Sequence, residues 1–128
     1  AGAYLQDAGE GAGLLDLCLA TGEVLGDLGI CYQEGIESLR GESFQIFDTF
    51  VLDPALRTRA RALLADGPWP VRSGIFVTVS CVSGSRVRGL LLARQHRALC
   101  ENMEGAATAR WAYPGWPWLN RCWRMWKP

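Results

Sequence analysis

Net charge is the first thing this sequence lacks. Thirteen basic residues balance thirteen acidic ones over 128 positions. That excludes the basic surface on which non-specific nucleic-acid binding depends. No apolar run approaches the roughly 20 residues needed to cross a bilayer, so no membrane-spanning helix is expected. The opening Ala1-Gly2-Ala3-Tyr4 has no basic stretch leading into an apolar one, which argues against a signal peptide. An initial Met is also missing, which points to processing or to an absent beginning. Histidine is reduced to His96, with no partner at metal-ligand spacing, and there is no Cys-x-x-Cys pair. The cysteines, Cys18, Cys31, Cys81, Cys100 and Cys122, are odd in number and irregularly spaced. They read as reduced thiols of a cytoplasmic protein, with no metal centre.

What is present is ordinary globular material: 49% apolar and 20% charged residues. A chain this long is one domain and can bury roughly two-thirds of its unfolded surface. Fifteen glycines and six prolines punctuate short apolar stretches. Leu14 to Thr21 reads as a strand closed by Gly22, with Glu23-Val24-Leu25 as an extension before a turn at Gly26-Asp27-Leu28-Gly29. Residues 35–49 have no clean period and read as a long loop. Asp53 is a candidate N-cap before Pro54. Leu56, Ala60, Leu63 and Leu64 then recur at helical spacing up to a stop at Asp66-Gly67-Pro68. Val71 to Val82 alternates Ile75, Val77 and Val79 and reads as a strand. A helix from Arg86 to about Gln95 follows, with Val87, Leu90 and Leu91 on one side and Arg86 and Arg88 on a solvated face. Ala98-Leu99-Cys100 reads as a short buried strand, and a third helix runs from Ala106 to about Ala112. Strands alternating with helices predict an α/β layered fold.

The last 18 residues differ in kind, because they hold five of the six tryptophans: Trp111, Trp116, Trp118, Trp123 and Trp126. An aromatic platform, a Trp-rich packing segment and a reading-frame change in a GC-rich gene all compete here, and the frame change is favoured. Residues 1–110 are therefore taken as the α/β core segment and 111–128 as a separate Trp-rich segment.

The chemistry concentrates in Cys100 to Ala107, CENMEGAA. Glu104 falls between a buried-looking strand and a helix of small residues, where the helix dipole stabilises a carboxylate. Gly105, Ala106 and Ala107 leave room for a ligand or a neighbouring backbone. On the residues alone, Glu104 reads as an ordinary first-turn acid, Ser80 to Val82 as a strand terminus, and Ala1-Gly2 as a turn.

A resemblance gives these residues tasks. Glu101-Asn102-Met103-Glu104-Gly105-Ala106-Ala107 resembles the Met-Glu-Gly/Ala-Ala signature of the nucleoside phosphorylase and nucleosidase superfamily. Two further segments are similar in order and spacing to the futalosine hydrolase family: Ala1-Gly2-Ala3 with Gly13 to Leu17 and Gly26 to Gly29, and Val77 to Gly84. The resemblance implies a three-layer α/β/α nucleosidase-type fold, incomplete in this chain.

It also implies that Glu104 is the catalytic carboxylate, accepting hydrogen bonds from the ribose 2′- and 3′-hydroxyls. Under an oxocarbenium-like sugar its charge favours the transition state over the ground state. Met103 would pack on the ribose and Asn102 would lie beside the sugar or base. Ser80, Cys81 and Val82 would line the purine side, and Gly2 would belong to a loop near the ribose. The family's water-activating glutamate would precede Ala1. Its purine-protonating side chain would follow the third helix, and Asn120 is not in the context expected for that role.

The implied function is hydrolysis of futalosine or aminodeoxyfutalosine to hypoxanthine or adenine, a step of menaquinone biosynthesis. No metal or organic cofactor is implied, since water is the nucleophile. The expected partners are a small purine nucleoside and further copies of the chain in a homo-oligomer, with no nucleic acid or membrane. Methylthioadenosine/adenosylhomocysteine nucleosidase, purine nucleoside phosphorylase and a non-catalytic nucleoside-binding remnant are the rivals.

Overall fold

The computed structural model describes residues 3–4, 11–41, 44–45 and 48–112. The elements run β1 (Ala3–Tyr4), β2 (Leu17–Leu25), β3 (Gly29–Cys31), β4 (Ile36–Ser38), β5 (Arg40–Gly41), β6 (Phe44–Gln45), β7 (Thr49–Val51), α1 (Pro54–Leu64), β8 (Val71–Thr78), α2 (Arg86–His96), β9 (Ala98–Asn102) and α3 (Gly105–Ala112). A five-stranded sheet has the order β1-β9-β8-β2-β7. Its centre, β2, β8 and β9, is parallel, and β7 and β1 pair antiparallel at the two edges. β8-α2-β9 is a βαβ unit, the connection that parallel neighbours require.

Helices cover both faces of this sheet. On one face Val24, Val77, Val79 and Ala98 pack against Leu92 and Ala93 of α2. On the other, Phe50, Leu25 and Leu52 meet Ala106 and Ala109 of α3, whose small side chains let the helix sit close. The α/β reading of the sequence therefore holds, with helices layered on a mixed sheet.

Several local expectations differ from the structure. β2 does not close at Gly22. A register shift between Ala20 and Gly22 leaves Thr21 as an extra residue, and pairing with β8 continues to Leu25. Such a bulge keeps a strand going past a residue that reads as a stop. Residues 35–49 are not one loop: β3 pairs with β4 and β5 with β6, in strands too short to show a period. The strand expected to reach Val82 ends at Thr78, because the Asp27 carboxylate takes the Ser80 N–H and draws the chain toward β2.

The α1 boundaries follow the sequence, with Asp53 Oδ1 accepting from the Ala55 and Leu56 amides at 2.7 and 3.3 Å. Its phase does not, since Leu56 and Leu63 are exposed and no α1 residue is fully buried. In α2 the buried residues are Gly89, Leu92 and Ala93, while Val87 and Leu91 are exposed. Arg88, expected on a solvated face, is half-buried, and its Nη2 donates to the Cys81 carbonyl at 3.2 Å. Spacing gives the period of a helix, but the neighbouring sheet chooses which side turns inward.

Cys18, Cys31, Cys81 and Cys100 are free thiols, and burial beside Cys18 pushes the Cys100 thiol up. Among the described residues no helix is long and apolar enough to cross a membrane, and no group of three or more His, Cys, Asp or Glu could hold a metal ion.

Candidate functional site

Parallel strands deliver their following loops to one edge of the sheet, where ligands of open α/β folds bind. Here that edge gathers three segments: Gly26-Asp27 after β2, Val79 to Ser85 after β8, and Met103-Glu104 after β9. Backbone bonds hold them together, from Gly26 N to Thr78 O at 2.9 Å and from Val79 N to Asn102 O at 2.8 Å. Asp27 accepts from the Ser80 N–H, and its other oxygen lies 3.4 Å from Ser80 Oγ. Glu101, 1% exposed, accepts from both Ser83 N and Ser83 Oγ at 2.8 Å, anchoring the loop ahead of α2 to β9.

Ser80, Cys81 and Val82 lie exposed along this edge. Met103 is 51% exposed and Glu104 is exposed beside it, immediately before α3. The Glu104 carbonyl accepts the Thr108 N–H at 3.0 Å, so the helix begins on Glu104 itself. The structure thus brings Ser80, Cys81, Val82, Asn102, Met103 and Glu104 to one edge, while Gly2 and Asn120 lie outside the described residues.

Asn102 turns inward. Its Oδ1 accepts from the Glu104 and Gly105 amides at 3.1 and 2.7 Å, capping α3, and its Nδ2 lies 3.1 and 3.3 Å from the two oxygens of Glu23. Thr78 joins this cluster. Its Oγ1 accepts from Ala106 N at 2.7 Å and lies 3.0 Å from Glu23 Oε2, to which it donates. Gly105 sits directly over Glu23, and a Cβ there would overlap the Glu23 carboxylate.

Glu23, Thr78, Asp27 and Glu101 were not singled out from the sequence. The available signal was Glu23 itself, a charge set inside the apolar strand residues of β2. Buried charges need hydrogen-bond partners, and a partner search along the neighbouring strands leads to Thr78 and Asn102.

Burial pushes the Glu23 carboxyl above the usual 4.5, and the bonds from Thr78 and Asn102 partly offset this. The folded protein therefore holds that proton more tightly than the unfolded chain. This contribution to stability is complete below about pH 4.5 and is lost as pH rises through the raised folded value. The stability of the wild type relative to Glu23→Gln is therefore expected to fall as pH rises above about 4.5, as read from urea midpoints over a pH series.

A cavity of about 340 Å³ opens elsewhere, between the end of α2 and the Val24–Gly26 stretch, with Asp48, Gln95 and His96 in its wall. Burial lowers the His96 pKa and Asp48 opposes the shift. None of the residues expected at the site from the sequence lines this cavity.

The comparisons bear on the fold and the family. No curated protein matches the chain. Among solved structures, a futalosine hydrolase mutant of Helicobacter pylori matches with a TM-score of 0.66 and 17% identity, over 85% of this chain and 46% of that one. A mutant of the H. pylori nucleosidase MTAN, solved with 5′-methylthioadenosine in the active site, matches with a TM-score of 0.68 and 18% identity, over 85% and 45%. The chain thus spans a little under half the length of these structures, and at such identity they show a shared fold. The family model described as the phosphorylase superfamily matches residues 8–114. Over most of its length, then, this chain is a member of the phosphorylase superfamily.

Proposed function

We propose that the chain carries the ribose-binding part of a nucleosidase that cleaves the N-glycosidic bond of a purine nucleoside, with futalosine or aminodeoxyfutalosine as the substrate. The observation that carries this reading is Glu104. Its carboxylate is exposed at the C-terminal edge of three parallel strands, and the backbone beneath it is fixed by Asn102. Two carboxylate oxygens suit the vicinal diol of ribose, and a fixed negative charge under the ring favours the cationic sugar of the transition state. Met103, half-exposed beside it, supplies an apolar face for the sugar. Ser80, Cys81 and Val82 form the purine side, and Asn102 acts from below. Water is the nucleophile in this reading, so no cofactor enters. A homo-oligomer in the cytoplasm belongs to the same reading.

Phosphorolysis is the second reading, and one observation favours it. Arg88 reaches the loop after β8, and its Nε is buried with no hydrogen-bond partner among the described residues. A cation there suits an incoming phosphate. Incubation with futalosine, aminodeoxyfutalosine, methylthioadenosine and inosine, with and without orthophosphate, decides between the readings. Base release from the first two without phosphate is the expected outcome. Release only with phosphate makes the protein a phosphorylase, preference for methylthioadenosine moves the substrate, and binding without release leaves a nucleoside-binding domain.

A further inference from the structure

We propose that Glu23 is a positioning residue for Glu104, a buried carboxylate beneath α3 that acts through Asn102 and Thr78 to fix the first three backbone N–H groups around the helix start. The inference rests on the reading of Glu104 as the ribose-binding carboxylate. Glu23 is 4% exposed and sits on β2, while its two partners end β8 and β9. Each partner has two sides. Asn102 gives Nδ2 to Glu23 and Oδ1 to the amides of Glu104 and Gly105, and Thr78 gives its proton to Glu23 and a lone pair to the Ala106 amide.

Above its raised pKa, where Glu23 is ionised, the chemistry of the carboxylate makes this arrangement directional. It accepts and cannot donate, whereas an asparagine amide presents a donor and an acceptor of nearly the same shape. Facing Glu23, Asn102 must turn its NH₂ inward, which leaves its oxygen for the helix. Thr78 has one proton and two acceptors within reach, Glu23 Oε2 at 3.0 Å and Asn102 Oδ1 at 3.2 Å. The charged carboxylate is the nearer and stronger acceptor, and either way the Thr78 oxygen is left free to accept from the Ala106 amide. Glu23 thereby sets the polarity of both residues, and together they hold the amides of residues 104, 105 and 106. The Glu104 side chain leaves from this fixed backbone. Gly105 lets Glu23 come directly under the turn, where any Cβ would overlap it.

A polarity swap tests this in the protein as it stands. Asn102→Asp sets two carboxylates against each other. Exchange of the amides of residues 104–106 is expected to quicken at least about tenfold. On the nucleoside that the wild type cleaves, kcat is expected to fall by about tenfold or more with little change in KM. Adding Glu23→Gln restores the match, because the side-chain amide introduced on β2 then donates to the new carboxylate, which still accepts the helix amides. The double variant is expected to recover both exchange and kcat to within about threefold of the wild type. Wild-type exchange in Asn102→Asp, or a double variant no better than that single one, overturns the proposal. If Asn102→Asp alone does not fold, recovery of the fold in the double variant supports it and failure to recover overturns it. Should the wild type cleave no nucleoside, the proposed function falls, and the exchange measurement still decides whether Glu23 holds the helix start.

Discussion

Glu104→Gln is expected to lower base release by about 100- to 1,000-fold, the usual cost of removing one preorganised electrostatic group from a transition state. The substitution keeps the shape of the side chain and removes only its charge, so the loss reads the electrostatic contribution. Binding of the nucleoside is expected to weaken far less, since an amide oxygen still accepts from a hydroxyl and the ground-state ribose is uncharged. Folding is expected to be unaffected. The Glu104 side chain is exposed, and the local contacts that matter to the helix are its backbone N–H to Asn102 and its carbonyl to Thr108. Initial rates, with thermal melts as the control, check this. Unchanged turnover in a folded variant removes Glu104 from the mechanism.

Gly105→Ala is expected to destabilise the protein by about 2–4 kcal/mol, against almost nothing for Gly84→Ala. A single methyl group separates the two results. At Gly84 a Cβ meets no atom within 4 Å, whereas at Gly105 it overlaps the carboxylate of Glu23. That carboxylate ends a flexible side chain, but it cannot move cheaply, because moving it breaks its bonds from Thr78 and Asn102 and leaves buried polar groups unpaired. Neither glycine has a positive φ in the structure, so the contrast comes from space and not from backbone strain. Urea denaturation of both variants measures it, and equal midpoints would mean that α3 shifts to make room.

The parts of this architecture that local chemistry controls were legible in the sequence. Asp53-Pro54 starts α1 and Asp66-Gly67-Pro68 follows its end, and Ile75, Val77 and Val79 mark one face of the strand region. Even the helix start beside Glu104 shows in CENMEGAA. The parts set by distant neighbours were not. Which side of α2 faces inward is decided by Val24 and Val77, and the strand through Gly22 continues because β8 accommodates a bulge. The strands between residues 35 and 49 pair over two or three residues, too few for a period to emerge. Asn102 illustrates the same limit at the site. Its place at the end of β9 was readable, but its inward turn depends on Glu23, 79 residues earlier. The expectations for Gly2 and for residues 113–128 lie outside the described residues.

The same separations bear on how the molecule assembles. Glu23 lies 55 residues from Thr78 and 79 from Asn102, whereas β8, α2 and β9 are consecutive. Closing a longer loop costs more chain entropy, and contacts between distant segments slow folding. The βαβ unit is therefore expected to form first and to wait for β2 to bring Glu23 beneath α3. In pulsed hydrogen exchange during refolding, the amides of residues 104–106 should gain protection after those of β8 and β9, and simultaneous protection would contradict this order. A chain caught between the two stages would already have β8 and β9 paired while the turn that presents Glu104 was still unformed.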